Sequence, residues 1–362
     1  MSTHIWLRAE TKPAEERTAL PPKHARRLMD AGFQLTVESS SQSAFRSDEY
    51  EAVGCKLVAE HQWKNSAPHD AIILGLKELE ESDQPLPHRH IHFAHVYKDQ
   101  EGWQKTLSRF ATGGGTLYDL EFLVDDSGRR VAAFGHWAGF AGAAVAAMAW
   151  ANHRCGTAPV LTALKSRPDQ QTLVDEIKAA IAATKRQPTA LVIGALGRCG
   201  RGAVELFESA GVEVTKWDLE ETKRGGPFKE IIAADMFLNC VFINSAIPPF
   251  LTLDLLQQPQ RKLSVVCDIS CDPYGDYNPL PIYNKCTTFS DPVEPIVGGD
   301  DPVHLIAIDH LPSLLPRESS EDFCDQLMPH LLQLNHLQPG ENDNVWLRAE
   351  KLFKHKTANL GG

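Results

Sequence analysis

No C-x-x-C pair occurs among the eight cysteines, which stand at 55, 155, 199, 240, 267, 271, 286 and 324. Thiols scattered in this way give no zinc-type spacing and no disulfide framework, and they read as reduced thiols of an intracellular protein. The first residues, MSTHIWLRAETK, lack the apolar core of a signal peptide. The longest apolar helix candidate, near 131–151, is rich in Ala and Gly and is interrupted by His136, so it reads as a buried helix and not a membrane crossing. Basic residues are outnumbered, 36 Lys and Arg against 47 Asp and Glu, and the net charge of −11 excludes a protein built to bind nucleic acid or an anionic membrane surface. An anionic substrate would need a local basic pocket. There is no internal repeat, and the C-terminal KTANLGG carries no recognisable address, so a soluble, cytoplasmic chain is expected.

What is present is length and pattern. A chain of 362 residues, 43% hydrophobic and 23% charged, has room for two α/β domains with cores of their own. The stretch organising the rest is 190–218, ALVIGALGRCGRGAVELFESAGVEVTKWD. An apolar strand ends in glycines at Gly194, Gly197 and Gly200, a helix follows, then a second strand closes on Asp218. Glycines suit this turn because a dinucleotide pyrophosphate must approach backbone N–H groups at a helix N-terminus, where a Cβ would obstruct it. Asp218 at the tip of the second strand would accept hydrogen bonds from an adenosine ribose, which favours NAD over its 2′-phosphorylated relative. The spacing is G-x-x-G-x-x-G and not G-x-G-x-x-G. A glycine-rich turn of any α/β domain is the competing reading, and the strand, helix and acidic strand end around it favour the cofactor.

Taken in order, HIWLRAE reads as a strand, PPKHARRLMDAG as a helix, FQLTVES as a strand, and 70–77 (DAIILGLK) as a buried strand ending on a lysine. The segment 89–100, RHIHFAHVYKDQ, alternates and then turns polar, GWQKTLSRF has helical period, and TLYDLEFL and RRVAAF read as strands joined by a DDSG turn. From Gly135 small residues at helical spacing suggest a long helix crossing between domains. ADMFLNCVFI, LSVVCDIS and VHLIAIDHL complete an all-parallel sheet, and the segment from Ser319 is helical and expected to pack back on the first domain.

Ligands of doubly wound sheets bind beyond the carboxyl ends of the strands, so the polar residues closing each apolar run are the candidates. Lys77 beside apolar surface would have a lowered pKa and could serve as a base, against the plainer reading of a lysine snorkelling from a strand end. His90 and His92 could face one way as metal ligands, but no third ligand is near; a satisfied surface pair is the better reading, and no metal is expected. His95 differs because polar YKDQ follows it. Arg17, Arg129 and Arg130 are each more simply surface charges, yet converging strand ends would make them carboxylate donors. Cys199 in the glycine turn and Cys240 at the end of MFLNC should both point at the pyrophosphate crevice, where oxidation could bridge them.

Together LRAETK-x-x-EER, GLKE, HFAHVYKDQ, TLYDLEFLVDDSGRRVAAFG, GALGRCGRGA, KWDLEETKRGGPF and IDHLPSLLPRE resemble the saccharopine dehydrogenases that form L-lysine with NAD, over nearly the whole chain. Alanine dehydrogenase and transhydrogenase are broader relatives. The resemblance implies an α/β protein of two Rossmann-like doubly wound domains separated by an active-site cleft. A substrate-binding domain would span 1–134 plus 320–362, and an NAD-binding domain 135–319. It implies NAD as cofactor, saccharopine, lysine and 2-oxoglutarate as small-molecule partners, a monomer, and reversible oxidative cleavage of saccharopine, the last step of the α-aminoadipate route to lysine. On the family's pattern Lys77 takes the proton of the secondary amine and His95 is acid and base for water addition and carbinolamine collapse. Arg17 and Arg130 meet substrate carboxylates, and Gln100, Phe134, Ser270, Cys271 and Asp272 line the substrate. Arg129, Gly194, Gly197, Arg198, Asp218, Thr222, Phe242, Ile269, Ile308, Asp309, His310 and Leu311 match NAD-contact positions. Phe242 stands where relatives often show Tyr, and Cys271 where Ala is familiar. An alanine dehydrogenase-like enzyme is the runner-up, but a pyruvate pocket needs one carboxylate partner; an NAD-binding regulator would have no use for Lys77 and His95 together.

Overall fold

A computed structural model describes residues 2–98, 100–336, 344–358 and 360. The chain divides into two compact units, Met1–Ala133 with Ser319–Gly362, and Phe134–Glu318. Phe134 thus falls in the second unit and Ser319 in the first, each one residue across from where the sequence pattern puts it.

The first unit opens with β1 (His4–Leu7), α1 (Pro22–Asp30), β2 (Gln34–Glu38), α2 (Ser47–Ala52), β3 (Lys56–Val58), α3 (Trp63–Ser66), β4 (Ile72–Leu74), β5 (Arg89–His92), α4 (Trp103–Gly113) and β6 (Thr116–Asp119). The sheet runs β3-β2-β1-β4-β5-β6 with every pair parallel. Helices cover both faces of such a sheet, so an inner strand such as β4 is apolar throughout rather than alternating. Ile72, Ile73 and Leu74 are all fully buried. Strand order reverses between β1 and β4, which makes the carboxyl ends of those two strands a topological switch point.

The second unit contains α5 (Gly135–Arg154), α6 (Gln170–Thr184), β7 (Thr189–Ile193), α7 (Arg198–Ala210), β8 (Glu213–Trp217), α8 (Leu219–Thr222), α9 (Lys229–Ala233), β9 (Met236–Asn239), α10 (Leu253–Leu256), β10 (Val265–Asp268), β11 (Glu294–Val297) and β12 (Val303–Ile306). The chain returns to the first unit along α11 (Pro316–Leu331), followed by α12 (Val345–Ala358). The second sheet runs β11-β12-β10-β9-β7-β8, with its switch point between β7 and β9.

Four readings of the sequence change here. The second sheet is not all parallel, because β11 pairs antiparallel with β12 and its register shifts between Pro295 and Val297. Proline has no N–H for a ladder and is confined to edges, which is where this strand lies. Of the two strands read in TLYDLEFL and RRVAAF, the first shrinks to β6, which pairs parallel with β5, and the second to one antiparallel bridge of Arg130 with Val124 around the DDSG turn. There the Asp125 carboxylate accepts N–H bonds from Ser127 and Arg129, at 2.9 and 3.0 Å, and folds the chain into a turn. The small-residue helix α5 does not cross between units; it starts the second unit and packs on α7. Their approach is so close that a Cβ on Gly202 would lie 1.9 Å from the His136 carbonyl oxygen. Finally, His90 and His92 are no surface pair. They sit on an inner strand with 0% and 1% exposure, and His90 meets Trp63 and Phe110 edge-on at 5.2 Å. Burial holds both imidazoles well below the usual range.

Candidate active site

At the switch point of the first unit, the residues just past β1 grip the residues just past β4. The Glu10 carboxylate accepts the N–H of Leu76 at 2.7 Å and of Lys77 at 2.9 Å, and the Arg8 guanidinium donates to the Lys77 carbonyl oxygen. Arg8 lies flat on Gly75, where a side chain would collide with it. Lys77 therefore has its peptide fixed on both sides before its side chain does anything. Burial pushes the Glu10 carboxyl above the usual range, against the nearby Arg8 charge and the two N–H bonds that favour the anion. Arg17, 3% exposed, forms a fork with Glu15 through Nε at 2.7 Å and Nη2 at 2.6 Å. Burial works against the Glu15 charge, yet Arg17 and, further off, Lys77 hold its carboxyl below the usual range. Lys12 pairs with Glu78 at 2.6 Å.

His95 lies four residues beyond Ile91, past the end of β5, with a left-handed φ of 55° that points its ring toward the segment after β6. Its Nδ1 is 3.0 Å from Glu121 Oε2, while Glu121 Oε1 accepts from Lys98 at 2.6 Å and lies 3.5 Å from Arg130. The bond to Glu121 outweighs partial burial and raises the His95 pKa, helped by the Asp119 and Glu78 charges. The same bond, with Lys98, lowers Glu121 to about 2. Asp119 Oδ1 accepts the N–H of Glu121 at 2.9 Å and of Ala94 at 3.4 Å, so one buried carboxylate holds the backbone beside both partners of the pair. Gln100 turns its Oε1 to the Lys98 N–H at 2.9 Å, and Arg130, 40% exposed, sits over the Phe93 ring at 6.0 Å. Arg129 is exposed on the same turn, its carbonyl oxygen accepting the Asp125 N–H at 2.9 Å and its own N–H donating to the Asp125 carboxylate.

In the second unit the glycine turn follows β7 at its switch point. Gly194 has φ +83°, and a Cβ there would meet Val241 at 2.5 Å; a Cβ on Gly200 would lie 2.0 Å from the Gly194 carbonyl oxygen. Gly197 caps α7, whose first turn begins at the exposed Arg198. Asp218 reaches across from the end of β8: Oδ2 accepts the Leu196 N–H at 3.0 Å and Oδ1 the Leu219 N–H at 2.9 Å, and Thr222 Oγ1 donates to the Asp218 carbonyl. Phe242 is 70% exposed just past β9. The Cys199 thiol, hydrogen-bonded to Cys240, and burial push the Cys240 thiol well up; both cysteines are free.

Beyond β10, Asp268 organises the segment of Ser270, Cys271 and Asp272. Its Oδ1 accepts Ser270 Oγ at 2.6 Å and Asn239 Nδ2 at 3.0 Å, and its Oδ2 accepts the Tyr283 hydroxyl at 2.7 Å. Ile269 packs beside Gly142, and past β12 Ile308 and Leu311 are buried, His310 stacks near Phe289 at 4.6 Å, and Asp309 is exposed. Phe134 stands at the N-cap of α5. Among the described residues no three His, Cys, Asp or Glu side chains are grouped to hold a metal ion, and no helix is long and apolar enough to cross a membrane.

Sequence reasoning missed Asp119, Glu121 and Asp268. A usable signal existed for all three, since Asp119 and Asp268 end strands β6 and β10 and Glu121 lies two residues past β6.

The alanine dehydrogenase/PNT N-terminal domain model matches residues 6–141. An L-alanine dehydrogenase structure superposes with TM-score 0.66 at 14% identity, over 97% of this chain and 93% of that one. The transhydrogenase of Sinorhizobium meliloti gives 0.63 at 18% identity, over 91% and 94%. These likenesses define the fold, two Rossmann-like α/β units arranged in sequence as in alanine dehydrogenase and transhydrogenase. More particularly, saccharopine dehydrogenase [NAD(+), L-lysine-forming] of Emericella nidulans is 52% identical over 99% of this chain and 98% of its own, and that of Schizosaccharomyces pombe is 50% identical over 99% and 100%. The chain belongs to the family of NAD-dependent, L-lysine-forming saccharopine dehydrogenases.

Proposed function

We propose that the protein oxidises saccharopine with NAD+ and water to lysine, 2-oxoglutarate and NADH, and runs the reverse condensation. The observation that carries this reading is the placement of two titratable groups of different chemistry, Lys77 and the Glu121-bound His95, at the ends of adjacent strands β4 and β5. Cleaving a secondary amine needs one group to take the amine proton and another to steer water onto the resulting carbon–nitrogen double bond. Lys77 does the first and His95 the second, with His95 returning its proton as the carbinolamine collapses. Glu121 fixes the His95 ring through Nδ1 and leaves Nε2 for the reacting water. Arg130 meets a substrate carboxylate from the exposed side, Arg17 acts from within its fork with Glu15, and Gln100, Phe134, Ser270, Cys271 and Asp272 line the remainder.

The glycine turn suits a dinucleotide, since side chains at Gly194 and Gly200 would collide with Val241 and with the Gly194 carbonyl, and only glycines allow the tight turn into the N-terminus of α7 where a pyrophosphate would lie. Gly197 and Arg198 would hold the pyrophosphate, Asp218 the adenosine ribose, and Arg129, Thr222, Phe242, Ile269, Ile308, Asp309, His310 and Leu311 the rest. When bound, NAD+ supplies the acceptor for the hydride leaving the substrate carbon. A coupled test is NADH oxidation requiring both lysine and 2-oxoglutarate. Lysine-independent oxidation, or turnover of pyruvate with ammonia in their place, would overturn the assignment.

A further inference from the structure

Cys271 and Cys286 lie fifteen positions apart in sequence, and their Sγ atoms are 3.3 Å apart, with Cys286 Sγ also 3.8 Å from the Cys271 carbonyl oxygen. Both are free and half-buried, so a small oxidant can reach them. A disulfide needs about 2.05 Å between sulfurs, so closure takes a shift of only about 1 Å. The two ends differ in firmness. Cys286 precedes Thr287, which exchanges two hydrogen bonds with Ala307 beyond β12, at 2.8 and 2.9 Å. Cys271 sits on the segment beyond β10 with a left-handed φ of 48°, between Ser270 and Asp272. The movement would fall on that segment.

We propose that Cys271 and Cys286 form a reversible modification site, closed by a low-molecular-weight disulfide, and that closure displaces Asp272 and turns down saccharopine turnover. The regulatory part rests on the reading of Ser270, Cys271 and Asp272 as substrate-lining. Cys286 attacks the small disulfide as thiolate, breaking its S–S bond and releasing one small thiol. Cys271 then gives up its proton and attacks Cys286 Sγ, which forms the protein disulfide and releases the second thiol. Two protein sulfurs are oxidised by two electrons and one small disulfide is reduced to two thiols. Burial and the Cys286 sulfur hold the Cys271 thiol far above its usual range, which suits it to the resolving role and not to the first attack.

The test treats the full chain with oxidised glutathione, alkylates the remaining thiols, and maps linked peptides while assaying kcat/KM for saccharopine and binding of NADH. The expected result is a peptide joining 271 to 286, a loss of about 10-fold or more in kcat/KM, on the scale of a misplacement near 1 Å, recovery with dithiothreitol, and unchanged NADH binding. Cys286→Ser should keep its basal activity and resist the treatment. Full alkylation of both cysteines after treatment would overturn the site. An equal loss in Cys286→Ser would assign the effect to another thiol and also overturn it. A linked peptide with unchanged kcat/KM would overturn the regulatory role, and with it the placement of Cys271 against substrate, while leaving the assay with lysine and 2-oxoglutarate untouched.

Discussion

The two switch points are built from opposite materials. In the first unit the strand ends are crowded with charge: Arg8, Glu10, Glu15 and Arg17 are buried or nearly so, and they use side chains to fix the backbone of Lys77 and one another. In the second unit the end of β7 is nearly bare, with a turn of glycines leading into α7 and one carboxylate, Asp218, tying the loop to the neighbouring strand. Buried ion pairs with one partner removed are strongly destabilising, whereas a bare turn is sensitive to added atoms. The first site should thus break by deletion and the second by addition.

The largest effects are expected from the two titratable groups of the first unit. Lys77→Met and His95→Gln should each lower kcat by ~10²-fold or more, the usual scale for removing a general acid or base. NADH binding, read by fluorescence, should be unchanged in both; a variant with near normal turnover would remove that residue from the chemistry. Addition at the second site comes next. Gly194→Ala places a side chain at φ +83° against Val241, and the left-handed penalty of ~1–2 kcal/mol corresponds to roughly a tenfold rise in the KM for NAD. The KM for saccharopine should stay level. If both constants rise together, the two sites are not separable in this way.

Glu121→Gln sharpens the comparison through pH. Glu121 raises the His95 pKa, so the basic form of His95 that activates water accumulates only at higher pH. In the Gln variant the acid limb of the kcat/KM profile should move to lower pH; an unmoved limb would show that His95 does not titrate in it. The same bond bears on stability with a definite sign. His95, raised on folding, contributes fully below about pH 6.5, its unfolded value, and the contribution fades as pH climbs through the folded value. Glu121, lowered to about 2, contributes above its usual range near 4.3 and loses this only as pH falls toward 2. Thermal melts of the wild type and Glu121→Gln should therefore differ most between about pH 4.3 and 6.5 and converge toward acid.

The smallest effect is on cofactor choice. Asp218→Ser removes a carboxylate that repels a 2′-phosphate and also releases the Leu196 N–H, so the preference for NAD should narrow while its KM rises. Equal use of both cofactors by the unmodified protein would break the assignment of Asp218.

The sequence by itself determined what local period and spacing carry. Leu191, Val192 and Ile193 ahead of Gly194 mark a strand feeding a phosphate turn, Ile72 to Leu74 mark a buried strand, and the long polar motifs mark the family, because each depends on neighbours a few residues away. Tertiary structure decided what those strands meet. Nothing near Arg17 in sequence says that its pair with Glu15 will be buried, or that Glu121 will hold a histidine 26 positions earlier. His90 and His92 alternate as a half-exposed strand would, and only a place on an inner strand covered on both faces buries them. The small residues of α5 promise close packing, but whether the partner is α7 or another domain is a matter of which helix supplies a complementary Gly202. Charge pairing, burial and the meeting of Cys271 with Cys286 arise where strand ends converge, and that convergence follows from strand order, which no short stretch of sequence encodes.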